Sequence, residues 1–250
     1  TVFVFTSLLL VWARSKRPES DLRVQLYFDQ LRGRYMATGE KSMRPNDKVY
    51  NAVLLSKKTN KDGYGASQIL KFMYDDYLSF NNPFAKPDRK VFHNVMIAWK
   101  ESDDRNAYLR IEELLQQMQV EHNSRGWDTM PNQASYLIPL KALAKLGTPW
   151  AAERAENVLN FMNNAGLRPD AYCYGIVVHA WSQCNPADAV RAQKVVDDML
   201  HRYDLGERHL LPHLYCYGNL LKAWQRSSLP EAGHRAYDAW KLMFERHNAN

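Results

Sequence analysis

Ala155-Glu-Asn-Val-Leu-Asn-Phe-Met162 is followed by Asn-Asn-Ala-Gly166-Leu-Arg-Pro169-Asp170 and then by Ala-Tyr-Cys-Tyr174-Gly175. Ala155, Val158, Leu159 and Met162 fall at i, i+3, i+4 and i+7, the apolar stripe of an amphipathic helix. Gly166 is placed to end that helix, and Pro169 cannot continue it. Asp170 is placed to accept a hydrogen bond from the free N–H groups that open the next helix. That helix carries Tyr174 and runs apolar through Ile176, Val177, Val178, Ala180 and Trp181. The stretch is helix, stop, turn, cap, helix.

The same pattern recurs along the chain. Pro45, Pro87, Pro131, Pro169 and Pro212 are each followed five residues later by an aromatic: Tyr50, Phe92, Tyr136, Tyr174 and Tyr217. Asn46, Asp88, Asn132 and Asp170 stand directly after four of these prolines, and His213 after the fifth. The intervals between prolines are 42, 44, 38 and 43 residues. A second register agrees with the first. Seven residues separate Ala66 from Met73, Ile111 from Met118, Ala155 from Met162, Ala192 from Met199 and Ala236 from Met243. Each unit therefore has a helix A that carries the aromatic and a helix B that carries the Ala/Ile-to-Met pair. Periods of this size are those of stacked helical repeats.

The first residues join the array on the same spacing. Thr1 to Trp12 form an apolar run that resembles the core of a secretion signal, but no basic residue precedes it and about 12 residues are too few to span a bilayer. Trp12 lies seven after Phe5, as Trp99, Trp181 and Trp224 lie seven after their own aromatics. Val24 and Leu31 then fall in the helix-B register. The expected units are 1–44, 45–86, 87–130, 131–168, 169–211 and 212–250, one array over the 250 residues. Thr148-Pro149 and Asn185-Pro186 have the form of an N-cap followed by Pro at the first position of helix B. Between the helix-B Met and the next Pro, most units insert six or seven residues beyond the compact turn at 163–168, enough for an extra helical turn or a loop.

Composition narrows the classes of function. The net charge of +6 mildly favours an acidic partner. Cys173, Cys184 and Cys216 form no paired spacing, which fits a reducing compartment better than a disulfide framework. There is no Gly-rich phosphate loop, no HExxH and no Cys/His set with zinc spacing, so the sequence offers no enzyme, cofactor or metal site. Asp103-Asp104 and Asp197-Asp198 are surface carboxylates by position.

Pro-Asx-x-x-x-Tyr, an apolar helix A, Ala-x6-Met, and the turn Met162-Asn-Asn-Ala-Gly166-Leu-Arg-Pro169-Asp170 together resemble the pentatricopeptide repeat, here in a long and degenerate form covering essentially the whole chain. The Trp-x2-Leu-Gly-x2-Tyr signature of the tetratricopeptide repeat is absent. The resemblance implies an all-α, right-handed superhelical solenoid of about six helix-turn-helix repeats. It implies a monomer without a membrane segment that binds single-stranded RNA, about one base per repeat read by two or three side chains. It further implies a role in organellar RNA processing, stability or translation, in a mitochondrion or chloroplast and in company with other proteins of an RNA complex.

The residues suited to this lie on helix A. Counting from the residue after the aromatic to those four, seven and eight further on, the line holds Lys58, Lys100, Lys141, Lys145, His179, Lys222 and Arg226. A one-sided basic line is what a polyanion backbone needs, and a solvated outer face has the same composition. By the resemblance, bases are read by the residue after the aromatic together with the residue after the next unit's Pro. The pairs are Thr6 with Asn46, Asn51 with Asp88, His93 with Asn132, Leu137 with Asp170, and Gly175 with His213. Thr with Asn resembles an adenine reader and Asn with Asp a uracil reader, whereas Leu137 and the glycines offer no side-chain hydrogen bond. The resemblance also implies that the position two before the aromatic packs on the base plane, and Phe3, Tyr172 and Tyr215 are its aromatic occupants. The alternative class is a helical scaffold for proteins, for example ribosome-associated, that reads no sequence.

Overall fold

The computed structural model describes residues 1–15 and 17–248 and is all-α, with twelve α-helices and no strand among them. The chain divides into two compact units, Thr1–Pro131 and Asn132–Asn250, and the division falls where the third repeat passes to the fourth. In the first unit α1 (Val2–Arg14), α3 (Asp47–Thr59) and α5 (Arg89–Glu101) alternate with α2 (Ser20–Thr38), α4 (Gly63–Leu78) and α6 (Ala107–Arg125). In the second, α7 (Gln133–Ala144), α9 (Ala171–Gln183) and α11 (Leu214–Gln225) alternate with α8 (Pro149–Asn164), α10 (Ala189–Asp204) and α12 (Ala232–Asn248). Odd helices are the six expected A helices, and even helices are the six B helices. Inside each unit every helix A packs on the next helix A and on the B helices to either side of it.

Local chemistry sets the boundaries. Asn46, Asp88, Asn132 and Asp170 are N-caps whose side-chain oxygens accept from the N–H of Val49, Val91, Ser135 and Cys173 at 2.9–3.1 Å. Each satisfies one of the N–H groups a helix start leaves without an intrahelical partner. Gly39, Gly126 and Gly166 lie in the left-handed region where helices end. Thr148 caps α8 ahead of Pro149, as the spacing predicts. The Asn185-Pro186 cap is corrected: α10 begins at Ala189 because the Asp188 carboxylate, not Asn185, accepts from the Arg191 N–H at 2.9 Å. Three of the insertions before a unit's Pro fold into single 3-10 turns at Lys41–Met43, Pro83–Ala85 and Arg208–Leu210. Met43, Ala85 and Leu210, each two residues before its Pro, plug the core.

The core follows the two registers. Tyr50, Phe92, Tyr174 and Tyr217 are buried, as are Ala66, Ile111, Ala155 and Ala192 with their paired methionines. Phe5 and Tyr136 depart from this and are only half-buried. Each sits on the first helix A of its compact unit, which has a single helix-A neighbour within that unit.

Trp99, Trp181 and Trp224 are buried, and each indole N–H donates to a side chain on the preceding helix B. The acceptors are Ser67 (2.8 Å), Glu156 (2.7 Å) and Gln193 (3.0 Å), all one residue past the helix-B Ala. These tryptophans are therefore staples between hairpins. In the second repeat Lys57 takes the tryptophan's place, buried with its ammonium 2.8 Å from Asp21 of α2 and 3.3 Å from Asp62. A further buried charge completes the first unit. Asp76 on α4 receives Arg32 of α2 at 2.7–3.1 Å and the Tyr50 hydroxyl at 2.6 Å.

Candidate nucleic-acid interface

Along each helix A one face, or column, is set by the residue two before the aromatic, the one after it, the one five after it, and those eight or nine after it. Spacing of three and four keeps these on one face. In the first unit α3 contributes Lys48, Asn51, Leu55 and Lys58. Together with Leu10 of α1 and Asn94 of α5 they line a shallow groove of about 320 Å³. Asn51 is exposed and Lys58 half-buried, so a hydrogen-bonding amide and an ammonium share the groove.

Other members of the column are held differently. Thr6 is buried, and its hydroxyl donates to the Val2 carbonyl at 2.8 Å. Phe3 is exposed. His93 is half-buried; burial first, and the nearby Arg89 second, hold its pKa below the ordinary 6.5 against the pull of Asp88. The Lys100 ammonium lies 2.5 Å from Glu101.

The second unit carries rings where the first carries polar groups. Tyr172 of α9 and Tyr215 of α11 are partly exposed with ring centroids 5.8 Å apart, and the Lys141 ammonium of α7 lies 5.1 Å over Tyr172. His213 flanks both rings at 6.4 and 6.1 Å, and His179 lies 6.1 Å from Tyr215. The Asn219 amide nitrogen donates to the Tyr215 carbonyl (2.8 Å), which turns its oxygen to His179 Nδ1 at 2.9 Å; that nitrogen therefore carries a proton. Gly175 has a steric reason. A Cβ there would stand 2.9 Å from the Tyr215 ring and 3.0 Å from Cys216 Sγ, so the residue lacking a side chain makes room for the ring.

The residues expected to read bases from the following unit, Asn46, Asp88, Asn132 and Asp170, each spend one oxygen on a helix cap. For the carboxylates a second oxygen remains, and for Asn46 and Asn132 the amide nitrogen. Arg226 bends back onto the carbonyls of Ser182 and Cys184 at the end of α9. Lys145 and Lys222 lie on the exposed surface of α7's end and α11. Sequence reasoning missed Asn94 and Asn219. Both stand two after the helix-A aromatic, and the signal was a polar residue in a register otherwise filled by Ala, Ile and Ser.

All three cysteines are buried and free, and burial pushes the thiols of Cys173 and Cys216 up to about 12. Among the described residues no group of three or more His, Cys, Asp or Glu is arranged to hold a metal ion, and no helix is long and apolar enough to cross a membrane. No family model matches this chain, and no curated protein is similar enough to match it.

Proposed function

We propose that this chain is a pentatricopeptide-repeat protein that binds single-stranded RNA along the helix-A column, reading bases in its first unit and stacking on them in its second. With that reading goes the superhelical course such repeats imply, and a place in organellar RNA processing, stability or translation. The observation that carries it is the column itself. Its positions hold an amide between two lysines on α3 of the first unit (Lys48, Asn51, Lys58), and a lysine of α7 beside tyrosines of α9 and α11 in the second (Lys141, Tyr172, Tyr215). Cations for phosphates and π-faces for bases are the two requirements of single-strand binding, and an aromatic–base stack contributes about 1–3 kcal/mol.

Asn51 with Asp88 is the reading pair, by its resemblance to a uracil reader. Thr6 with Asn46 drops out of this role because Thr6 is buried and its hydroxyl proton is donated to the Val2 carbonyl. Selection of bound RNA from a random pool tests the proposal. Enrichment of single-stranded RNA with one strongly preferred uracil supports it, and Asn51→Thr with Asp88→Asn is expected to move that preference toward adenine. A pool that shows no enrichment refutes it.

One observation favours the protein-scaffold reading instead. A base held between two rings needs them roughly 7 Å apart, twice the contact distance of ~3.5 Å. Tyr172 and Tyr215 are closer than that and tilted by 39°. In the RNA reading, bases therefore stack on the outer ring faces or the rings part.

A further inference from the structure

Two of the tryptophan staples share one plan but hold their arginine differently. In the second unit Arg191, one residue before the helix-B Ala of α10, lies 5.5 Å over the Trp181 ring. Glu156 of α8 draws it there, 3.6 Å from the guanidinium, with the carboxylate that also accepts the Trp181 indole N–H. In the first unit the matching residues are Arg110 of α6, Trp99 of α5 and Ser67 of α4. Ser67 still accepts the indole N–H, but it has no charge to hold an arginine. Glu113, three after Arg110, stands where α10 has Lys194, and it takes the Arg110 guanidinium at 2.9 Å. Moving the carboxylate from the preceding helix B to the arginine's own helix keeps Arg110 half exposed at the rim. A cavity of about 440 Å³ stands beside Trp99.

That cavity has the size and walls of a small-molecule site, which ordinarily spans roughly 300–1,000 Å³. Tyr64 of α4 stands edge-on to Trp99 with ring centroids 4.7 Å apart, yet it is 63 % exposed. One ring is therefore anchored while its surface stays open. Buried Leu70 and Leu114 supply apolar wall, and Ser67 and Gln117 supply polar groups. Lys71 and Arg110 stand against a single lining carboxylate, Glu113, so the walls carry one excess positive charge. A cation like the guanidinium over Trp181 is poorly served here, because Ser67 has replaced Glu156 and Glu113 is already paired. A planar π group carrying negative charge suits the rings and the cations together.

We propose that the cavity between α4 and α6 binds a nucleobase with its phosphate, the base stacked on Tyr64 and the phosphate at Lys71 and Arg110. A free mononucleotide and one nucleotide of an RNA strand present the same base and phosphate. The cavity shares no residue with the helix-A column, so it stands or falls apart from the RNA reading above.

Calorimetric titration of the full chain with AMP, adenosine and inorganic phosphate is the test. AMP is expected to bind, adenosine more weakly, and phosphate more weakly still. Tyr64→Ala is expected to weaken AMP binding by roughly tenfold, the loss of one base–ring stack. Lys71→Ala weakens AMP several-fold and narrows its advantage over adenosine, because the ammonium meets only the phosphate. Both residues are exposed, and an unchanged helical circular dichroism signal certifies the fold. The Lys71→Ala comparison carries the test should Tyr64→Ala lose that signal. The dinucleotide ApA separates the two sources: binding equal to that of AMP, with the same loss in Tyr64→Ala, identifies an RNA strand, and much weaker binding identifies a free nucleotide. No binding of AMP at millimolar concentration, or AMP binding that neither variant changes, overturns the proposal. So does preference for arginine amide over AMP, which would make this a cation site. AMP binding that falls in Asn51→Thr with Asp88→Asn and persists in Tyr64→Ala would place the nucleotide on the helix-A column and overturn it as well.

Discussion

Asp76 shows most directly how single residues hold this molecule together. Its side chain is fully enclosed, and three donor groups from two other helices converge on it: the Arg32 Nε and Nη2 and the Tyr50 hydroxyl. Burial, then the Asp76 carboxylate, raises the Tyr50 pKa far above a phenol's ordinary value, so tyrosine is held as the donor. Removing one partner of a buried pair costs more than the pair contributes, because the other charge is stranded. Arg32→Ala and Asp76→Ala are each expected to destabilise by about 3–5 kcal/mol in denaturant unfolding, and the double variant by clearly less than the two added together. His93 provides a pH signature. The unfolded chain takes up a proton near 6.5, while burial and Arg89 make the folded protein resist protonation. Acid therefore favours unfolding. Stability from this residue is complete above 6.5 and falls as pH drops below it, and His93→Gln should flatten unfolding curves measured from pH 7.5 to 5 over that window.

At the scale of elements, the units of construction are hairpins, three of which send a tryptophan back to the helix B before them. Gly63 demonstrates how closely it fits. A Cβ at Gly63 would stand 2.4–2.9 Å from Trp99 ring atoms, and that ring is both buried and pinned through its N–H to Ser67. Gly63→Ala is expected to lower stability by about 1–3 kcal/mol, the usual range for overpacking. Gly33→Ala, mid-helix in α2 with nothing within 4 Å, should instead raise it by up to about 1 kcal/mol. Thermal melts of both variants against wild type decide the matter. The helices were legible from the sequence because each unit is marked twice, its helix A by the aromatic and its helix B by a pair of apolar residues seven apart. What lay between the marks was not. Six or seven inserted residues carry no periodicity, so the 3-10 turns and their Met43, Ala85 and Leu210 plugs depend on tertiary contact. The α10 start was misplaced because Asn185-Pro186 and Asp188 both have capping chemistry, and only packing chooses between them.

Across the whole molecule, the candidate site was legible as a pattern of residue types and illegible as a set of available groups. Spacing placed Lys48, Asn51 and Lys58 on one face, but nothing in it revealed that Thr6 bonds its own helix or that Arg226 turns onto carbonyls of the preceding helix A. Nor could it distinguish a basic column that meets phosphate from lysines that merely carry the net charge of +6. Salt dependence separates these. Each phosphate neutralised on a single strand contributes roughly −0.7 to the slope of log affinity against log salt, because it releases condensed counterions. Lys141, Lys145 and Lys222 belong to the helix-A column, whereas Lys71, Lys194 and Lys241 are exposed on B helices. Replacing either trio by Ala removes the same formal charge. If the column carries the RNA backbone, the first triple variant flattens the slope by about 2 and weakens all RNA sequences alike, because phosphates carry no sequence information. The second should leave the slope near that of wild type. Equal flattening by both trios would reduce the interaction to long-range attraction by a basic protein, and an unchanged slope in the first would move the RNA off the helix-A face.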